Sequence, residues 1–202
     1  MASTVASGAT AEPSRGAAPG GTFLCMWDLL AGPFLAAGGL LVVAGLPKLR
    51  DPLPLVRALR TTGLPASGPL VRALALAEVV LGVAAVFAPG REMAALVAVA
   101  YAGFTAFVAL AMRRGGVLAS CGCFGRPDTP PTRAHLVLTG GATATAAALA
   151  VSPPGPGVWS AAPPASSAAL AGLAALLAAL AYLVLAVLPT TTAAAVRRPP
   201  KG

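Results

Sequence analysis

Long apolar runs alternate along this chain with short clusters of arginine, proline and glycine. The first run extends from about Leu29 to Leu46, with Trp27 placed to anchor the headgroup level and Pro47 expected to help end the helix. A second covers about Leu70 to Ala88 and stops at Pro89-Gly90. A third covers about Met93 to Met112 and stops at Arg113-Arg114-Gly115-Gly116. The fourth, about His135 to Val151, carries Thr139, Gly140, Gly141, Thr143 and Thr145, which predicts close helix contact in the bundle interior. An Ala- and Leu-rich fifth run follows over about Ala168 to Leu188. Runs of about 18 residues or more are what a hydrocarbon core roughly 30 Å thick asks of helices rising 1.5 Å per residue. Between the first two runs, Arg50, Asp51, Arg57 and Arg60 interleave with Leu53, Leu55, Val56, Leu59 and Leu64. That pattern suits a short helix lying in the membrane interface, or else an ordinary basic loop.

Composition agrees with this reading. Hydrophobic residues make up 57% and charged residues 10%, with a mean hydropathy of +0.82, which no water-exposed globular surface carries. Segments of about ten strictly alternating residues, the mark of a closed membrane barrel, do not occur. The expected fold class is therefore all-α, a polytopic membrane helical bundle of about five transmembrane helices. Residues 1–22 hold too few large apolar groups to fold and are expected to form a disordered tail. The four-helix membrane domain is expected over 23–151, a Pro-rich linker over 152–167, the additional helix over 168–188 and a basic tail over 189–202. A cleaved signal peptide is not expected, and Met26 is an alternative start.

The net charge of +8 does not point to nucleic acid, because the fourteen Lys and Arg sit at the ends of apolar runs and form no dense stripe. Their distribution instead sets an orientation. With the N-terminus outside, Lys48, Arg50, Arg57, Arg60, Arg72, Arg113, Arg114, Arg126, Arg133, Arg197, Arg198 and Lys201 all fall on the cytoplasmic side. Only Arg15 and Arg91 remain opposite.

Two features carry candidate chemistry. Cys121 and Cys123 flank Gly122 in a segment where Gly115, Gly116, Gly125 and Pro127 oppose helix. A disulfide closing so small a ring is strained and easily exchanged, and Arg113, Arg114 and Arg126 nearby favour the reactive thiolate. A soft metal would need ligands beyond these two thiolates, with His135 the sole histidine, and two small apolar residues in a turn is the plain alternative. His135 itself reads as an interfacial polar residue, and no motif for haem, flavin or nucleotide is present; no cofactor or metal is expected. The second feature is Glu78, an intramembrane carboxyl on a face with Ala75, Gly82 and Ala85. Such a residue serves either function or structure. Lys48, Tyr101 and Thr105 are its candidate partners by depth, although Lys48 could instead snorkel to the interface.

The segment Ala44-Gly45-Leu46-Pro47-Lys48-Leu49-Arg50-Asp51-Pro52, Glu78 followed by Gly82, and the Cys121-Gly122-Cys123-Phe124-Gly125 loop together resemble the methylamine utilisation protein MauE family, within the wider DoxX-like membrane proteins. The resemblance covers about residues 29 to 150. It implies a four-helix membrane bundle with an additional span, and a part in methylamine metabolism through maturation of the disulfide-rich light subunit of methylamine dehydrogenase. It also implies a redox role for Cys121 and Cys123. A protein serving an exported subunit is expected to hold this dithiol outside, opposite to the charge bias.

The expectation is a cell-membrane protein that acts on a thioredoxin-like or client partner by thiol–disulfide exchange, as an oxidoreductase component. The alternatives are a noncatalytic assembly or chaperone subunit, and a small-solute or metal transporter.

Overall fold

The computed structural model describes residues 26–61, 63–113, 132–155 and 163–187. Within them, α1 (Met26–Arg50), α3 (Gly68–Phe87), α4 (Arg91–Arg113), α5 (Arg133–Val151) and α6 (Pro164–Tyr182) are the five apolar helices. The short α2 (Leu53–Thr61) lies between the first two, and α6 runs on into a π-helical turn, Leu183–Val187. All five long helices are long and apolar enough to cross a membrane. The protein is a multi-pass helical membrane bundle.

The spans cross in alternating directions. Arg72, near the start of α3, donates to the Leu49 carbonyl at the end of α1 (3.4 Å). Arg91, starting α4, donates to the Val151 carbonyl that ends α5 (3.4 Å). The ends of α1, α4 and α6 and the starts of α3 and α5 therefore share one face, here termed the far face.

Buried positions account for 56% of the α1 span, against 11–22% of each other span, so α1 is the axis of the bundle. It packs most extensively on α3, and also on α5 and α6, while α4 packs on α5. The core collects Phe34, Ala37 and Leu41 of α1, Ala85 of α3, Val97 and Tyr101 of α4, Ala146 and Leu149 of α5, and Ala174 of α6. Large apolar side chains such as Leu76, Val80, Val99 and Leu176 face outward, as lipid contact requires.

Two expectations change. Pro47 does not end α1. It lies inside the last turn, where it forgoes the N–H bond to the Val43 carbonyl, yet the helix continues past it and its own carbonyl accepts from Asp51 N (2.9 Å). Nor is α5 the interior helix. A Cβ added at Gly140 or Gly141 would meet nothing within 4 Å, and only His135, Ala146 and Leu149 of this helix are buried. The hydroxyls of Thr139 and Thr143 donate to carbonyls one turn back, His135 O (2.7 Å) and Thr139 O (2.9 Å). They satisfy themselves within the helix and join no neighbour. Close approach occurs instead between α1 and α3. A Cβ at Gly45 would lie 2.8 Å from the Ala75 carbonyl, and one at Gly82 2.5 Å from the Gly38 carbonyl. The α2 segment is helical, with Val56 and Ala58 buried and Arg57 and Arg60 exposed, as an interfacial helix needs.

Candidate functional site

The extra helical turn after Pro47 decides where Lys48 goes. Ala37, Leu41, Ala44 and Lys48 recur at helical spacing on the buried face of α1, so the side chain is carried into the bundle. On α3, Val71, Ala75, Glu78, Gly82 and Ala85 form the matching buried face. Because Gly45 and Gly82 lack side chains, the two backbones come near enough for the charged groups to meet.

The Lys48 ammonium donates to both Glu78 carboxylate oxygens, at 2.9 and 2.7 Å. Both side chains are at least nine-tenths buried, and this is the sole ion pair found among the described residues. The ammonium also lies 5.1 Å from the centre of the Phe104 ring, over its face, which adds a desolvated cation–π contact. Phe104 in turn meets Tyr101 edge-on, with ring centres 5.6 Å apart. Lys48 is thus a buried partner of Glu78 and does not snorkel to the interface. The other two depth-matched candidates bond elsewhere: the Tyr101 hydroxyl donates to the Ala37 carbonyl (2.8 Å), and the Thr105 hydroxyl to the Tyr101 carbonyl (2.8 Å).

His135 is also buried, contrary to its expected interfacial place. Its Nδ1 lies 2.9 Å from the Thr132 hydroxyl, and the ring lies against the backbone of Leu185 in the π turn. The imidazole therefore ties the start of α5 to the end of α6. Such wide turns recur where a helix must present its backbone to another group. Periodicity could not have found this contact, because its partner is a stretch of main chain fifty residues away.

Between α1, α4, α5 and α6 lies a cavity of about 420 Å³, with Lys48, Tyr101, Phe104 and His135 on its walls. Pro33, Leu40, Val108, Leu138 and Leu177 make most of its surface apolar. Among the described residues no three of His, Cys, Asp and Glu gather as a metal site would need.

Of the sequence-predicted site residues, Glu78 and Lys48 come together, and Arg113 is exposed at the far-face end of α4. Cys121, Cys123, Arg114 and Arg126 lie outside the described residues, in the connection between α4 and α5.

No curated protein and no solved structure matches the chain. The family model for methylamine utilisation protein MauE matches residues 26–152, from the start of α1 to just past the end of α5. That match takes in well over half of the 202 residues, and with it the Lys48–Glu78 pair and the Cys121–Cys123 connection: the chain belongs to the MauE family.

Proposed function

We propose that this protein is a thiol–disulfide exchange component of the cell membrane that matures a partner protein, as the family's association with methylamine dehydrogenase suggests. The observation that carries the reading is the place of Cys121 and Cys123: two thiols one residue apart, in a connection whose flanking helices both end at the far face, where Arg113 and Arg133 are exposed. Positive charge there favours thiolate, the attacking species. A disulfide between the two cysteines is opened by a client thiolate, giving a mixed disulfide. The second client thiol then displaces it, which leaves the client oxidised by two electrons and Cys121 and Cys123 as thiols. A disulfide-bearing thioredoxin-like protein restores the pair by the same exchange in reverse.

Replacing both cysteines, Cys121→Ser with Cys123→Ser, is expected to leave the folded bundle intact while abolishing client maturation. A single Cys→Ser variant, which cannot close the disulfide, is expected to lose client maturation and to be trapped as a mixed disulfide with the disulfide-bearing thioredoxin-like protein on non-reducing gels. Full maturation with the double variant would sink this reading.

A second reading, a noncatalytic assembly subunit, is favoured by a specific observation. The buried polar groups Lys48, Glu78, Tyr101 and His135 are all engaged, the first two with one another, Tyr101 with the backbone and His135 with the Thr132 hydroxyl, as a scaffold needs. Under that reading the double variant matures its client normally.

A further inference from the structure

The cavity has a chemistry that its walls define. Most of its polar side chains already have partners: Lys48 with Glu78, Tyr101 with the Ala37 carbonyl, His135 with Thr132, and the Thr139 hydroxyl with the His135 carbonyl. The one further polar side chain on the walls, Thr145, cannot by itself give water the two to four partners that hold buried water. A space of about 420 Å³ inside a bilayer and so lined suits hydrocarbon. Along α1 it reaches from Pro33 to Lys48, roughly 22 Å at 1.5 Å per residue, more than one leaflet's share of a core roughly 30 Å thick.

The walls also leave a way in from the side. Both α5 and α6 pack on α1, yet they meet one another closely only at the π turn, where His135 lies against Leu185. Gly141 and Ala142 on one wall and Leu177 and Ala181 on the other border this gap.

Charge marks one end of the space. Three of its wall helices carry an arginine just beyond its far-face lining. By helical rise, Arg50 lies about 3 Å past Lys48, Arg113 about 8 Å past Val108, and Arg133 about 3 Å before His135. All three are exposed, and none has a carboxylate partner among the described residues. Asp51 is the nearest acid in sequence, and its carboxylate caps the Leu53 N–H of α2. Basic residues at this depth attract anionic headgroups.

We infer that the α1/α4/α5/α6 cavity is a binding site for one anionic phospholipid, with an acyl chain inserted between α5 and α6 and the phosphate held at the far face by Arg50, Arg113 and Arg133. The site does not depend on the dithiol reading, since no cysteine takes part.

The test uses the full chain purified in mild detergent, with native mass spectrometry and lipid extraction as readout. Phosphatidylglycerol is expected to be retained at one per chain and to exchange in nanodiscs with a preference of about tenfold or more over phosphatidylcholine. Gly141→Leu grows into open cavity space without touching packed atoms and is expected to expel the lipid. Gly140→Leu, equally open but outside the cavity lining, is expected to retain it. Arg113→Gln with Arg133→Gln is expected to keep a lipid but lose the headgroup preference, and inorganic phosphate is expected not to displace it. A chain that carries no lipid, equal retention of phosphatidylcholine, a neutral isoprenoid in the lipid's place, or a Gly141→Leu protein that keeps its phosphatidylglycerol would each overturn the inference.

Discussion

A lysine ammonium and a glutamate carboxylate held against each other inside a bilayer are worth most as a pair. Each alone is an uncompensated charge in a medium that solvates it poorly, whereas the pair is close to what an apolar couple of the same size would give. Glu78→Leu or Lys48→Met alone is therefore expected to destabilise the bundle by about 3–5 kcal/mol, and the two replacements together to recover most of that loss. Reversible unfolding in detergent mixtures measures all four corners of the cycle. Additive losses would mean that the two side chains do not depend on one another.

At the scale of elements, the α1–α3 contact rests on the absence of side chains. Gly82→Ala is expected to drive a methyl into the Gly38 carbonyl and cost about 1–3 kcal/mol. Gly39→Ala and Gly103→Ala, where nothing lies within 4 Å, are expected to be neutral or slightly stabilising. Comparing unfolding midpoints of the three variants checks this. Glycines that fill an interface and glycines that face open space look the same in a sequence. The Ala75–Gly82–Ala85 face was legible because Glu78 marked it, while Gly140 and Gly141 suggested an interior helix that the fold places outside. The five spans were legible because apolar length is a one-dimensional property. Pro47 misled for the opposite reason: whether a proline ends a helix depends on tertiary packing, which here holds the last turn and Lys48 in place. By depth alone Lys48, Tyr101 and Thr105 were equivalent partners for Glu78, and only the rotation of each helix about its axis separates them. Neither the His135–Leu185 tie nor the cavity could be read, since each is made between helices.

For the molecule as a whole, the alternation of spans puts seven of the eight basic residues among the described ones at the far-face ends of the helices, with Arg91 opposite. The expected orientation therefore holds that face, and the Cys121–Cys123 connection, in the cytoplasm. A membrane-impermeant maleimide, applied to intact cells after mild reduction and with Cys25→Ser in place, is expected to leave both thiols unlabelled until the membrane is opened. Labelling of intact cells would reverse the orientation and give the dithiol direct access to exported clients.

The buried pair also bears on how the chain is made. Apart from Glu78, the α3 span is among the most apolar of the five, but a charge near the middle of an inserting helix carries a penalty of about 2.5–3.5 kcal/mol. Its counter-charge lies thirty residues earlier, on a helix synthesised first. During biogenesis α1 must linger beside the insertion site until α3 emerges, so that the two leave the translocon together as a hairpin already neutralised.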